Sequence, residues 1–352
     1  MNLSMIVFLI FIWLSTVVKS QSDNVMMDFD TQWAVDQGLQ FLVEKQEQNS
    51  HKENDNFGSF TDNKEEKTYS IATTSFACLS LIANGSPPYR GKYGLNTARG
   101  VDFILRCVNR NGYISRAGDD SRMHGHGFAV LLLAEVYGMS RDKEQSQRVY
   151  EKLKKSIELT LKSQTPDGGW GYLPTDTIHE GSVTVIQLQA LRAARNVGIK
   201  VPKKSIDRAI DYLRKSANPD GSFKYRLGMT GSHSSFPLTA AGVASLNATG
   251  EYESEEIKKG LEFMMQYLPP KGSRDRYYNA FYFYGHFYAA QAMYHAPSPH
   301  WDRWYPAIRS ELLKKRDSST GAWTSRFGSV YATGIATLIL QIPYNYLTIF
   351  QR

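Results

Sequence analysis

Four of the eight histidines in this chain lie close to glycine-containing turns, in sequence contexts where they could transfer protons. A histidine is a candidate general acid or base because its ordinary pKa lies near neutrality, and a neighbouring carboxylate can assist it. His179 has such a neighbour, since Glu180 follows it directly. The catalytic candidates are His124, His126, His179, Glu180 and His233.

Each candidate also has a structural interpretation. His124 and His126 could bind zinc, but a separation of two residues lacks the i, i+4 spacing of stronger helical zinc motifs, and helix capping is the alternative. Glu180 stands in the first turn of a predicted helix, where a carboxylate is stabilised in any case. His233 could act as an acid or simply belong to a polar loop. We expect no metal ion and no cofactor.

An aromatic run from residue 277 to 288 supplies candidate ligand contacts. On a helix, Phe281, Tyr284 and Tyr288 share one face, and one face of this helix must line a cavity if the helix is an inner one. Aromatic walls suit an isoprenoid chain or a carbocation, and they equally suit stacking on sugar rings. Close aromatic packing without a ligand is the alternative. The ligand-binding candidates are Tyr278, Tyr282, Tyr284, His286 and Arg326.

A turn that recurs at near-equal intervals along the chain must position these side chains. Its glycines are 54, 56, 53, 51 and 49 residues apart, at positions 58, 112, 168, 221, 272 and 321. Six near-equal units indicate a repeat architecture. In four units a small residue precedes the turn glycine by 12 residues, which indicates one structural unit copied several times. The Trp or Phe after the turn is expected to pack between neighbouring units.

Each unit contains an amphipathic helical stretch followed by a more apolar one, which predicts an outer and a buried helix. The buried helices are predicted at Ile71–Ala83, Gly125–Tyr137, Ser182–Ala194, Phe236–Asn247, Asn279–His295 and Val330–Ile342. Twelve helices in six pairs predict an all-α (α/α)6 toroid. Because the inner helices begin at the turns, their N-termini should gather at one mouth and favour an anionic or polar group there.

The segment Gln164-Thr165-Pro166-Asp167-Gly168-Gly169-Trp170-Gly171-Tyr172 resembles the Gln-Trp repeat of squalene and oxidosqualene cyclases. Over roughly residues 30–345 the chain resembles prenyltransferase/squalene-oxidase-repeat proteins. Within that group it is most similar to exported bacterial members of undetermined function. The resemblance implies the same (α/α)6 toroid that the helix count predicts.

The catalytic motifs of that group do not carry over. No Asp-Xaa-Asp-Asp run exists, and the nearest acidic pair is Asp119-Asp120. An Asp-Asp-Xaa-Xaa-Asp motif starting there fails at Met123. Cys78 and Cys107 do not lie in the late repeats where prenyltransferases hold zinc, and the Cys-Gly-Glu-Gln sequence of thioester toroids is absent. The resemblance therefore implies a fold and leaves the reaction open.

The first twenty residues are interpreted as a signal peptide, with residues 21–352 forming one toroid domain. Met5 to Val18 is apolar but short for a membrane span. We expect export to the periplasm or the extracellular space, an uncleaved N-terminal anchor being the alternative. The net charge of +7 is spread over helix faces, which indicates solvated surfaces, and no nucleic-acid partner is expected of an exported chain. The two cysteines are expected to be buried free thiols, although export would permit a disulfide.

Three functions remain open. The first is a squalene-cyclase-like protein that binds or transforms a polyisoprenoid or other lipid-like ligand in the toroid cavity. The second is an exported polysaccharide lyase or hydrolase on the same type of toroid, an interpretation that rests on fold analogy. The third is a non-enzymatic binding module. We favour the first, without assigning a reaction.

Overall fold

The computed structural model describes residues 28–48, 56–62, 69–139, 143–268, 276–344, 346–348 and 351. These residues contain no β-strand, only three isolated β-bridges. The helices are α1 Phe29–Gln48, α2 Ser70–Ala83, α3 Gly94–Arg106, α4 Arg122–Met139, α5 Lys143–Lys162, α6 Gly181–Asn196, α7 Lys203–Ser216, α8 Phe236–Asn247, α9 Glu255–Met265, α10 Arg276–Ala280, α11 Tyr282–His295, α12 His300–Lys315 and α13 Ser329–Gln341.

Six of these helices form a closed inner ring. Each of α2, α4, α6, α8, α11 and α13 packs on the next, and α13 packs on α2. The outer layer consists of α1, α3, α5, α7, α9 and α12, and α1 packs mainly against α13 rather than against its own partner α2. The first outer helix therefore covers the seam between the last and first inner helices. The predicted all-α (α/α)6 toroid is confirmed.

The fifth inner helix differs from its prediction. Instead of one helix from Asn279, the chain forms the short helix α10 and leaves helical geometry at Phe281, where φ is −120° and ψ is 32°. The inner helix α11 begins only at Tyr282.

The repeated turns share one packing register, set by the residue two positions after the turn glycine. This residue is buried in five units, as Phe60, Ile114, Trp170, Phe223 and Trp323. Its N–H donates to a side chain on the inner helix of its own unit: Thr74, His126, Thr184, Thr239 and Thr333, respectively. In the second unit this packing position is taken by the aliphatic Ile114 instead of a Trp or Phe.

Small residues on the outer helices allow successive units to pack closely. A Cβ atom on Gly38 would lie 2.6 Å from Thr337 and 3.0 Å from Trp323. Gly100 faces Phe60 of the preceding unit in the same way, and Gly260 faces Phe223. At these three glycines the outer helix therefore packs on the turn residue of the preceding unit. At Gly38 this contact joins the first unit to the sixth.

Some predictions fall on residues outside the described ranges. These are the signal peptide at residues 1–20 and the turn around Gly272. Both cysteines are free and buried. Burial raises the pKa of the Cys107 thiol to about 11. None of the described helices has the length and apolar character needed to cross a membrane.

Candidate functional site

A cavity of about 540 Å³ lies at the end of the toroid where the inner helices begin. We call it the mouth cavity. All six inner helices contribute a residue from their N-terminal half: Ala72, His124, Ser182, Leu238, Tyr284 and Tyr331. Its volume lies in the range of about 300–1,000 Å³ that is usual for small-molecule sites. The closed ring therefore presents one concave site at the mouth that the sequence predicts.

Aromatic rings form the floor of the mouth cavity. Phe76 and Phe128 both line it, and their ring centroids are 4.3 Å apart. Phe287 lies under them, with centroids 5.3 Å from Phe76 and 6.1 Å from Phe128. Tyr331 packs edge-on against Phe76 at 5.7 Å. The floor is apolar, so burying an apolar group against it is favourable, whereas a polar group would lose its hydrogen bonds to water without replacement.

Three stacked rings form one side wall. The ring of His233 lies between Tyr225, with centroids 4.8 Å apart, and Tyr277, with centroids 4.2 Å apart and planes 4° from parallel. The backbone explains this stack. An isolated bridge joins Lys224 to Ser234, and the Tyr225 N–H donates to the His233 carbonyl at 2.8 Å. The chain thereby returns on itself and places the two rings side by side.

The wall continues through Tyr172 to His124. The hydroxyls of Tyr172 and Tyr225 hydrogen bond to each other at 2.8 Å, and the His124 ring lies 5.5 Å from that of Tyr172. Burial lowers the pKa of His124 to about 4, an effect that the backbone carbonyl of Ser182 opposes. His124 is consequently a neutral imidazole at pH 7, able to accept or donate a hydrogen bond but carrying no charge.

Tyr284 faces the mouth cavity from α11. Its hydroxyl donates to the Ser182 carbonyl at 3.2 Å across the ring. Burial raises the pKa of Tyr284 well above its ordinary value, so the phenol stays protonated. Phe281 also lines the cavity. Phe281 and Tyr284 of the aromatic segment therefore both line the mouth cavity.

Acidic side chains near the mouth are engaged with partners. Asp120, the single acidic residue among the described cavity-lining residues, forms an ion pair with Arg122 at 3.0 Å. Asp119 accepts from the Ser70 hydroxyl at 2.7 Å and from the Ile71 N–H at 2.9 Å, capping α2. Both carboxylates are therefore already bound to partners within the protein.

The N-termini of the inner helices are covered by groups from the next unit. Asp62 accepts from the Val330 N–H of α13 at 2.9 Å, as Asp119 does for α2. For α4 and α6 the acceptors are the backbone carbonyls of Tyr172 and Tyr225. Two carboxylates offset the positive ends of two helices, which weakens the predicted positive field at the mouth.

His126 lies away from the mouth cavity. Its Nδ1 accepts from the Ile114 N–H at 3.1 Å, and its Nε2 lies 2.9 Å from the Thr160 hydroxyl. Burial lowers the pKa of His126 to about 3. A neutral imidazole with both nitrogens used internally holds the second turn in place, in the position where other units use threonine.

His179 and Glu180 are buried beside the third turn and do not line the mouth cavity. His179 hydrogen bonds to the Tyr212 hydroxyl at 2.9 Å and lies 3.2 Å from the Asp167 carboxylate. Glu180 forms an ion pair with Arg226. Both residues join neighbouring units, and the structure does not bring them to a common site with His124.

Tyr278, Tyr282 and His286 face away from the mouth cavity. The Tyr278 hydroxyl and His286 Nε2 are 3.0 Å apart, and Tyr278 stacks on Tyr267 with centroids 5.3 Å apart. His286 packs toward Trp304 of the outer helix α12. Burial and the charge of Lys315 lower the pKa of His286 to about 3. These residues form the packing between α11 and the outer layer, while Tyr284 alone of the α11 candidates lines the cavity.

Arg326 borders a second concavity, which we call the side groove. It has a volume of about 880 Å³ and lies between the α10–α11 junction, the end of α12 and residues 323–327. Tyr282 lines this groove as well. Phe281, Phe327 and Tyr331 line both the side groove and the mouth cavity, so the two concavities adjoin.

Sequence reasoning missed Tyr172 and Tyr225, although a signal for both was present. Each stands four residues after a turn glycine, at Gly168 and Gly221. Because the turns share one register, equivalent positions should face the same mouth. The described residues contain no group of three or more His, Cys, Asp or Glu side chains that could hold a metal ion.

Comparisons with known proteins agree on the fold. A family model of the squalene-hopene cyclase C-terminal domain matches residues 135–303. The chain is 23% identical over 167 residues to drimenyl diphosphate synthase of Streptomyces showdoensis. That match covers 47% of this chain and 30% of the relative, so the chain spans less than a third of that protein's length.

Two solved structures extend the likeness over most of the chain. One is a variant of the type II terpene cyclase MstE from Scytonema with its substrate, geranylgeranyl dihydroxybenzoate. Its TM-score is 0.61, with 14% identity over 90% of this chain and 98% of that chain. The other is an inactive variant of the GH76A α-1,6-mannanase of Salegentibacter sp. HEL1_6 with α-1,6-mannotriose. Its TM-score is 0.63, with 10% identity over 86% of this chain and 97% of that chain. Together these comparisons show that the chain has a terpenoid cyclase-like (α/α)6 toroid fold.

Proposed function

We propose that this terpenoid cyclase-like toroid binds an apolar chain of the polyisoprenoid class in its mouth cavity. The observation that carries the proposal is the closed apolar floor formed by Phe76, Phe128 and Phe287 beneath aromatic walls. Removing an apolar chain from water is worth about 25 cal/mol per Å² of buried surface. Ring faces also accommodate the π-systems of an unsaturated chain.

The proposal is for binding and leaves a reaction open. Protonating an alkene needs a carboxylic acid held neutral, yet Asp120 is paired with Arg122 and Asp119 caps α2. The neutral His124 can orient a polar group at the mouth, but an imidazole with a pKa of about 4 is not a proton donor at pH 7. The arrangement favours holding an apolar molecule over initiating its cyclisation.

A filled-cavity variant tests the proposal. Ser182 lies partly exposed on the cavity wall, so Ser182→Phe should occupy ligand space without displacing a buried side chain. Ser310→Phe on the exposed face of α12 is the matched control. With geranylgeraniol as the probe in native mass spectrometry, we expect a one-to-one complex for the unmodified chain and for Ser310→Phe. Ser182→Phe should lose it. No complex with the unmodified chain, or equal binding by Ser182→Phe, would overturn the proposal.

Action on a polysaccharide is the second candidate. Its support is the Tyr225–His233–Tyr277 stack on the cavity wall, since aromatic faces can also pack on sugar rings, together with the mannanase-like fold. The test is release of reducing ends or unsaturated products from α-1,6-mannan and uronic-acid polymers. If no polymer is bound or cleaved, action on a polysaccharide is excluded. If product forms, this function replaces polyisoprenoid binding.

Export of the chain remains part of the proposal. The apolar segment that motivates it, Met5 to Val18, lies outside the described residues. N-terminal sequencing of the protein secreted by its native host should find Gln21 as the first residue. A protein that keeps Met1 and stays with the membrane fraction would support the anchor instead.

A further inference from the structure

A layer of polar side chains lies inside the inner ring, beyond the aromatic floor of the mouth cavity. Three inner helices each place a polar residue seven positions after a residue that lines the cavity. The pairs are Phe128 and Glu135, Ser182 and Gln189, and Tyr284 and Gln291. Seven residues return a helix to nearly the same face and advance it by about 10 Å. The three buried polar residues therefore point into the space enclosed by the ring, which we call the lumen, and we call them the polar layer.

A hydrogen bond within the polar layer crosses the lumen. The Gln189 Nε2 group donates to Gln291 Oε1 at 3.0 Å, although α8 stands between α6 and α11 in the ring. Gln189 is 5% exposed, and its own Oε1 meets no hydrogen-bond donor among the described residues. A buried acceptor of this kind is stabilised when a donor reaches it. The polar layer is therefore suited to small molecules that carry N–H or O–H groups.

Residues 346–348, which we call the strap, cross the end of the lumen opposite the mouth. The inner helices begin at the mouth, so α13 ends at the far end, where the short 3₁₀ helix Ile342–Tyr344 packs on α13 and α11. The strap then reaches α4. There the Thr348 hydroxyl donates to the Glu135 carboxylate, and the Thr348 N–H donates to the same carboxylate at 3.3 Å. Because α4 and α11 stand opposite each other in the ring of six, the chain spans the opening.

Two buried contacts hold the strap in place. Leu347 is fully buried, and Glu135, which accepts both hydrogen bonds from Thr348, is 3% exposed. Tyr346, in contrast, is 42% exposed. Burial of the leucine side chain and hydrogen bonds to a carboxylate both favour the closed strap. The strap is only three residues long, so its release breaks these contacts without moving the inner helices.

We propose that the lumen has a second opening at the end opposite the mouth, and that the strap is a latch that closes it. When the strap is released, small polar molecules reach the polar layer from the far end. The aromatic floor still separates that layer from the mouth cavity. Release also exposes Glu135, which exchanges its two hydrogen bonds from Thr348 for contacts with the entering molecules. This inference concerns the other half of the lumen and does not depend on what the mouth cavity binds.

Alkylation by iodoacetamide, a small neutral amide, tests the latch in the full chain. Gln189→Cys introduces a thiol into the polar layer, and its alkylation rate reports the fraction of molecules with the far end open. In this background Leu347→Ala and Thr348→Val should each raise the rate at least about tenfold, because each removes a buried contact of the closed strap. Tyr346→Ala, at the exposed strap residue, is the matched control and should change the rate by less than about threefold.

The native cysteines distinguish release of the strap from unfolding. Cys78 and Cys107 are buried and free, so they react only when the ring itself opens. Faster alkylation of the introduced thiol alone, with both native cysteines protected, supports the latch. Equal acceleration of all three thiols would show that the strap only stabilises the fold, and the latch would be wrong. It would also be wrong if the strap variants left the rate unchanged, or if the introduced thiol reacted rapidly beneath an unmodified strap. Gln291→Cys, on the opposite wall of the lumen, repeats the comparison and should give the same order of rates.

Discussion

His126 performs at the second turn the role that threonine performs at four others. It accepts the Ile114 N–H, and its other ring nitrogen contacts Thr160. We expect His126→Ala to lower the free energy of unfolding by about 1–3 kcal/mol, because a buried N–H loses its acceptor. His124→Ala, which changes a cavity wall instead, should cost less. Urea denaturation monitored by circular dichroism measures both, and a larger cost for His124→Ala would contradict the assignment.

Two buried neutral histidines predict a loss of stability in acid. Burial lowers the pKa values of His126 and His286 to about 3, so the unfolded chain binds protons first. Their contribution is fully present above the ordinary pKa of 6.5 and is lost as the pH falls toward 3. The free energy of unfolding should decline by about 1.4 kcal/mol per pH unit for each histidine.

The double variant His126→Thr, His286→Phe tests this pH dependence. Its free energy of unfolding should fall less steeply between about pH 6.5 and pH 5, since neither position can then bind a proton in the unfolded chain. Urea titrations across that interval give the slope. A slope equal to that of the unmodified chain would show that other groups cause the acid sensitivity.

Helical periodicity explains which candidate site residues meet and which do not. His124 and His126 are two residues apart and therefore point about 200° apart on one helix, so only one can face the ring. The same geometry separates Tyr284 from Tyr282 and His286. Residue type and proximity to the turns identified His124, His233 and Tyr284 at the cavity. They could not show that His179 and Glu180 are bound to Tyr212 and Arg226, because those contacts cross between units.

At the scale of the element, Asp119 and Asp120 are neighbours with different structural tasks. Asp119 caps α2, while Asp120 pairs with the half-exposed Arg122. Asp119→Ala should lower the free energy of unfolding by about 1–2 kcal/mol, as the loss of a helix cap does. Asp120→Ala should cost less than about 1 kcal/mol, as expected of an exposed ion pair. Thermal denaturation of the two variants checks the order, and the reverse order would contradict the capping role.

A substitution at Gly38 tests whether the packing of α1 on the sixth unit stabilises the ring. A side chain there meets Thr337 and Trp323, so Gly38→Val should cost about 1–3 kcal/mol through overpacking. Gln40→Val on the exposed face of α1 introduces the same residue into the same helix and should cost less than about 1 kcal/mol. Equal melting temperatures for the two variants would mean that this contact does not stabilise the ring.

Helices and their pairing were the most predictable level of the structure. The constant spacing between a small residue and a turn glycine indicates a fixed helix length. This spacing led to the correct number of inner and outer helices. The break at Phe281 was not predictable, because residues 277–284 contain no Gly or Pro to mark a helix end, and Gly285 lies inside α11. Nor was the role of Ile114, since an aliphatic residue takes a position that is aromatic in the other four described units.

At the level of the whole molecule, the mouth cavity depends on closure of the ring. The mouth cavity needs one wall residue from each inner helix, and the α1–α13 contact, the Asp62 cap and the Gly38–Trp323 contact all join the first unit to the last. A cavity built in this way exists only when the ring is complete. The cavity therefore belongs to the whole repeat array and not to any one motif.

Photoaffinity mapping with a diazirine-bearing geranylgeraniol shows directly whether the ligand enters the mouth cavity. We expect the label, identified by peptide mass spectrometry, to attach to inner-helix peptides that contain Phe76, Phe128, Tyr284 or Tyr331. An excess of unlabelled geranylgeraniol should abolish the labelling. Label confined to the outer helices α5, α7 and α9, or undiminished by unlabelled competitor, would contradict binding in the mouth cavity.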